Sequence, residues 1–157
     1  MPEQQTLERA RRDAREGKSP STQAGEFVRE EIEHIREGKH GARSTKQAIA
    51  IGLSKARRSG VKLPAPKTGQ ASARARKQAK RDVQRGRSAS SPAPSSKRSR
   101  ATSRALKKEG RTAASHRALS TQAKRAARKR SPGARSQQAK RAAGTRRANR
   151  AASGGSR

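Results

Sequence analysis

Cysteine, tyrosine and tryptophan are absent, and Phe27 is the one aromatic residue among 157. Without cysteine there is no disulfide and no thiolate metal site. Without Tyr or Trp there is no platform for stacking unpaired bases. Long apolar runs are missing too. The longest is Ala48–Ile51, far short of the roughly 20 residues of a membrane-spanning helix. The N-terminal stretch lacks the apolar core of a signal peptide, and Glu3, Glu8, Asp13 and Glu16 count against a transit peptide. Hydrophobic residues are scarce, at 27%, while the net charge is +31. A chain so composed buries too little apolar surface to offset the entropy of ordering it. The composition therefore predicts a small folded part and a long unfolded one.

Negative charge is the scarcest resource, and its placement divides the chain. Residues 1–63 hold 14 Lys/Arg against 9 Asp/Glu, a net of +5. Residues 64–157 hold 28 Lys/Arg against two acids, Asp82 and Glu109, a net of +26. Such a segment repels itself unless a polyanion neutralises it. The expected domains are an N-terminal arm over 1–18, a helical hairpin over 19–66 and a disordered basic tail over 67–157.

The expected fold class is mostly α. The arm allows a short helix over 6–16, stopped by Gly17 and marginal alone because its face is charged nearly all round. Ser19 and Pro20 suit the next helix start. Over 21–37, Phe27, Val28, Ile32 and Ile35 fall on one stripe at helical spacing, with Arg29, Glu30, Glu33, Arg36 and Glu37 on the opposite face. Ser44–Gln47 reads as a capping box, opening a helix over 45–58 that offers Ile49 and Leu53. The predicted hairpin core is Phe27, Val28, Ile32 and Ile35 against Ile49, Leu53 and Leu63. Beyond Pro64 the string QAKRAA occurs twice, at Gln122–Ala127 and Gln138–Ala143. It brings no hydrophobic face to stack, so it is a low-complexity echo. Pieces at 71–83, 103–108 and 121–129 are expected to become helical once phosphates neutralise them. The stretch Ser88–Ser96, with Pro92 and Pro94, is expected to stay a linker.

Following a phosphate backbone requires closely spaced permanent cations, and the chain supplies them. The candidate phosphate contacts near the second helix are Arg43, Lys46, Lys55, Arg57, Arg58 and Lys62. The tail adds Arg74, Arg76, Lys77, Lys80 and Arg81, then Lys97, Arg98 and Arg100. Further on stand Lys124, Arg125, Arg128, Lys129 and Arg130, and finally Lys140, Arg141, Arg146, Arg147 and Arg150. Arginine outnumbers lysine 28 to 14, and arginine grips phosphate bidentately. Counterion release would drive such binding. The two helices invite comparison with a helix-turn-helix, but the connection Gly38–Arg43 exceeds its usual turn of about 3–4 residues.

Other chemistry finds no support in the sequence. There is no GxxxxGK[ST], GxSxG or HExxH string, so no enzyme is expected. No cofactor and no metal is expected either: His34 and His40 flank the hairpin turn near Glu37, and His116 stands alone, too few ligands for zinc.

The strings EFVREEI, REGKHGARSTKQAIAIGLSKAR and VKLP, within Ser19–Pro66, resemble a family of small basic bacterial proteins of unknown function, some labelled DNA-binding or plasmid-stabilisation. The resemblance covers about a third of the chain, and it implies a bacterial cytosolic protein. The resulting expectation is a non-enzymatic nucleic-acid-binding protein, cytoplasmic and nucleoid-associated. It would hold DNA in preference to RNA, pair with a second copy through the hairpin, and use neither membrane nor small-molecule substrate. The alternatives are an RNA-binding or ribosome-associated protein, and a protein-interaction module localised by its tail.

Overall fold

The computed structural model describes residues 2–88 and 95–154, without the side chains of 149 and 151–154. Among the described residues the elements are α1 (Gln4–Arg15), α2 (Pro20–Arg36), α3 (Thr45–Arg58), α4 (Ala73–Arg87), α5 (Ser96–Lys107), a 3-10 turn η1 (Thr112–Ala114), α6 (His116–Arg128) and α7 (Pro132–Gly154). The chain divides into two compact units, Met1–Leu119 and Ser120–Arg157.

Side-chain caps open α2 and α3. The Thr22 amide donates to Ser19 Oγ at 3.3 Å, with Pro20 in the first turn of α2. The Gln47 amide donates to Ser44 Oγ at 3.3 Å, and Gln47 Oε1 in return accepts from the Arg43 amide at 2.9 Å. The second bond lands one residue upstream of the usual capping-box partner. Gly38, at φ +80°, ends the turn after α2.

The helices of the hairpin approach so closely that there is room only for glycine at the crossing. A Cβ added to Gly52 would lie 2.6 Å from Val28 Cα and 2.9 Å from the Phe27 carbonyl. Two apolar clusters flank this contact. One joins Phe27 and Ala24 of α2, Ala10 of α1 and Ala56 of α3, edged by Leu7, Leu53, Val61 and Leu63. The other joins Ile32 and Ile35 to Ala42, Ala48, Ala113 and Ala114, edged by Val28 and Leu119. Of the predicted core, Phe27, Ile32 and Ile35 are buried, while Val28, Ile49, Leu53 and Leu63 are half-buried.

The expected disordered tail is corrected by the structure, because the basic segment is helical. Its first helix, α4, docks on α3. Ala79 and Asp82 are buried there, and Ser54 Oγ and Gln78 Nε2 donate to Asp82 at 2.7 and 3.1 Å. Residues 106–114 close over the hairpin turn. The Gly41 amide donates to the Leu106 carbonyl at 2.9 Å and the Ala42 amide to the Gly110 carbonyl at 3.1 Å. Thr45 Oγ1 donates to the Ala113 carbonyl at 2.7 Å, and Arg36 Nε to the Ala114 carbonyl at 2.9 Å. The segments expected to need phosphate before coiling lie in α4, α5 and α6. The physical reason is local. Ala, Arg, Lys and Gln are strong helix formers, and Ser72 caps α4 by accepting from the Ala75 amide at 3.2 Å. Of the expected linker, residues 89–94 lie outside the described residues, and Ser96 already belongs to α5.

The second unit comprises α6 from Ser120 onward and α7. Pro132 opens α7, and the Ala134 amide donates to Ser131 Oγ at 3.2 Å. The Arg130 guanidinium donates to Gln138 Oε1. Most described side chains of this unit are exposed, so its helices rest on propensity and caps rather than on burial. No described helix is long and apolar enough to cross a membrane.

Candidate nucleic-acid interface

The structure sorts the candidate cations into two groups. Four of the first unit are held by residues outside their own helix. Lys55 Nζ lies 2.9 Å from both Glu30 Oε1 and Glu31 Oε2. Arg57 is 7% exposed and donates to the Pro64 carbonyl at 3.3 Å. Burial pulls its guanidinium pKa down, and the charge of Asp82 opposes that. Arg58 faces Asp82 at 3.8 Å while remaining partly exposed. Arg76 donates to Thr68 Oγ1.

The remaining candidates are exposed. Arg43, Lys46 and Lys62 flank α3 or begin it. On α4, Ala79, Asp82 and Gly86 face α3. Helical spacing then sets Arg74, Lys77 and Arg81 on the opposite stripe. Lys80 is exposed beside them. Lys97, Arg98 and Arg100 stand on α5, which buries no described residue. Lys124, Arg125 and Arg128 are exposed on α6, followed by Lys129 and Arg130. Lys140, Arg141, Arg146, Arg147 and Arg150 are exposed on α7.

The two acids of the basic segment are the residues that the sequence leaves least explained. Asp82 is buried under α3, and Glu109 is half-buried beside the Gly41 turn. Both stand where the segment touches the hairpin.

The outer face assigned to α2 needs one correction. Glu30 is 2% exposed, not solvent-facing. The start of the chain covers it, and the Glu3 amide donates to Glu30 Oε2 at 3.1 Å. Burial raises the Glu30 pKa, but the bonds from Lys55, the Glu3 amide and Thr6 outweigh it and leave the value lowered. The next residue, Glu31, does not stand out in the sequence. It is 1% exposed and shares a cluster with His34 and His40, with one donor atom of each within 4.8 Å of the others. Glu37, expected near these histidines, instead pairs with Lys39 at 3.0 Å. The sequence signal for Glu31 is its i, i+3 spacing to His34, which places the two one turn apart on one face.

No curated protein and no solved structure matches the chain. Residues 4–68, which run from the start of α1 to the segment before α4, match a family of unknown function, DUF6496.

Proposed function

We propose that this chain is a non-enzymatic nucleic-acid-binding protein. It holds phosphates with the exposed Lys/Arg of α4 to α7, and it holds DNA in preference to RNA. One observation carries the reading: 28 Lys/Arg against two acids over residues 64–157, with both acids placed against the hairpin. Helices studded with cations can lie along a phosphate backbone, each neutralised phosphate releasing a counterion. The lack of Tyr and Trp favours duplex held by its backbone over stacked single strands. The resemblance to small basic bacterial proteins adds a bacterial cytosolic setting, and the basic tail adds nucleoid association to the proposal. The rival protein-interaction reading would use the acidic face of α2 or an exposed Ile51; Glu30 and Glu31 are buried and Ile51 is half-buried, which leaves less of either surface open.

The test is a titration of the full chain against duplex DNA and duplex RNA at 50 to 300 mM salt. Affinity should fall by about 10³-fold or more over that range for six or more phosphates, with DNA held more tightly. Affinity indifferent to salt would overturn the reading. Tighter binding to RNA would replace DNA by RNA within it.

A further inference from the structure

We propose that Glu31, His34 and His40 form a binding site for a divalent cation of the zinc class at the turn between α2 and α3. Glu31 and His34 stand one helical turn apart on α2, and the chain reversal after Gly38 returns His40 to them. His40 Nε2 lies 3.3 Å from Glu31 Oε1. This is close to the roughly 3.4 Å between neighbouring ligands of a tetrahedral zinc with bonds of about 2.0–2.1 Å. All three donor atoms lie within 4.8 Å of one another, a gap that side-chain torsion closes.

The tautomer of His40 makes the contact informative. Its Nδ1 lies 3.1 Å from the Gly41 carbonyl oxygen. A carbonyl only accepts, so Nδ1 carries the proton. In the neutral ring Nε2 is then a lone pair aimed at a carboxylate oxygen, and two such groups repel unless a cation or a proton stands between them. An imidazole anchored through Nδ1–H to a backbone carbonyl is also the arrangement that metal-bound histidines adopt.

Glu31 supplies an independent observation. Its side chain is 1% exposed, yet neither oxygen has a well-directed hydrogen bond. Lys55 balances its charge at 2.9 Å from Oε2, which leaves Oε1 turned to the histidines. A buried carboxylate oxygen without a donor is costly, and a cation satisfies it. His34 Nε2 lies 2.7 Å from Glu3 Oε1, which also contacts Lys39 at 3.1 Å. If His34 coordinates through Nδ1, Glu3 orients the ring from behind.

Two imidazoles and one carboxylate suit zinc, cobalt or nickel and not magnesium or calcium, which take oxygen donors. A bound cation would tie the hairpin turn to α2 and, through Glu3, to the start of the chain. The site would therefore stabilise the first unit, and it stands or falls apart from the nucleic-acid reading.

The experiment is calorimetric titration of the full chain with Zn²⁺, without nucleic acid, together with the visible spectrum of the Co²⁺-loaded chain and thermal melts. One ion per chain should bind. The cobalt spectrum should show the intense bands of a four-coordinate site with nitrogen ligands. At a hundredfold excess over Kd the melting midpoint should rise by about 5–10 °C. His34→Gln and His40→Gln, both at the rim of the unit, should each weaken binding by about 100-fold, whereas His116→Gln should bind as the natural chain does. Absence of saturable binding overturns the proposal. Binding that persists in the His34→Gln/His40→Gln double variant also overturns it. The cobalt spectrum requires no variant, so a misfolded substitution cannot mask the answer.

Discussion

Lys55 shows how far a cation's role depends on what lies behind it. Its stem crosses from α3 to α2, and its ammonium stands between two carboxylates that are almost wholly inaccessible to water. Burial works against the charged amine, but the pairing with Glu31 and Glu30 outweighs it, and the Lys55 pKa is raised above its ordinary 10.5. The Glu30 pKa is lowered below its ordinary 4.5. The signs follow by linkage. A raised amine contributes stability that is complete below pH 10.5 and lost as pH climbs through the folded value. A lowered carboxyl contributes stability that is complete above pH 4.5 and lost as pH drops through the folded value. The pair should therefore stabilise most between these limits. Lys55→Met removes the cation and leaves two buried carboxylates uncompensated, at a cost of about 3 kcal/mol or more. Urea unfolding from pH 3 to 10 checks both points. The natural chain should lose stability below pH 4.5. The variant should be weakest near neutrality and partly recover on mild acidification, as protonation removes the stranded charge. A variant as stable as the natural chain at pH 7 would contradict this account.

At the scale of the element, α4 packs without large apolar side chains. Its inward stripe is Ala79, Asp82 and Gly86, and at Gly86 the backbone meets the Arg57 carbonyl so closely that a Cβ would collide with it. Gly86→Ala isolates this contact. In a free helix the change is favourable by about 1 kcal/mol, so helix content should hold or rise. The collision is with backbone, however, and should push α4 off α3. Hydrogen exchange should then show faster exchange across 73–87, while α2 keeps its protection. Unchanged protection in α4 would show that the close approach is not what holds it.

The same contact explains what was and was not legible in the sequence. The helices at 20–36 and 45–58 announce themselves through Ser19-Pro20, Ser44, Gly38 and an apolar stripe. In α4 there is no such stripe, because the docking surface is a small residue, a carboxylate and a glycine. The scarcity of apolar residues and the excess of charge over the whole segment therefore predict disorder, while local propensity and the Ser72 cap point the other way. The candidate interface divides likewise. The exposed cations could be counted from the sequence, but Lys55 and Arg57 could not be placed inside it. Lys55 is held by Glu30 and Glu31 of α2, and Arg57 by the carbonyl of Pro64 in the extended chain after α3, and neither pairing leaves a periodic signal.

At the scale of the whole molecule, charge and core are separated along the chain. The clusters of the first unit draw on residues up to Leu119. From Ser120 onward there are 12 Lys/Arg and no acid. A chain ending at Leu119 should therefore keep its fold while losing much of its grip on phosphate. Ending at residue 66 would be a poorer experiment, because it also strips away α4, η1 and the bonds that close the hairpin turn. For the 1–119 chain, the thermal midpoint should match that of the same unit in the full chain. The slope of log K against log salt for duplex DNA should become shallower by about 0.9 for each phosphate contact removed, up to about 11 if all 12 cations bind. A slope that does not move would place the phosphate contacts on α4 and α5 instead. A collapse in the thermal midpoint would show that residues beyond Leu119 contribute to the first unit's stability, and the division of labour between the two units would fail with it.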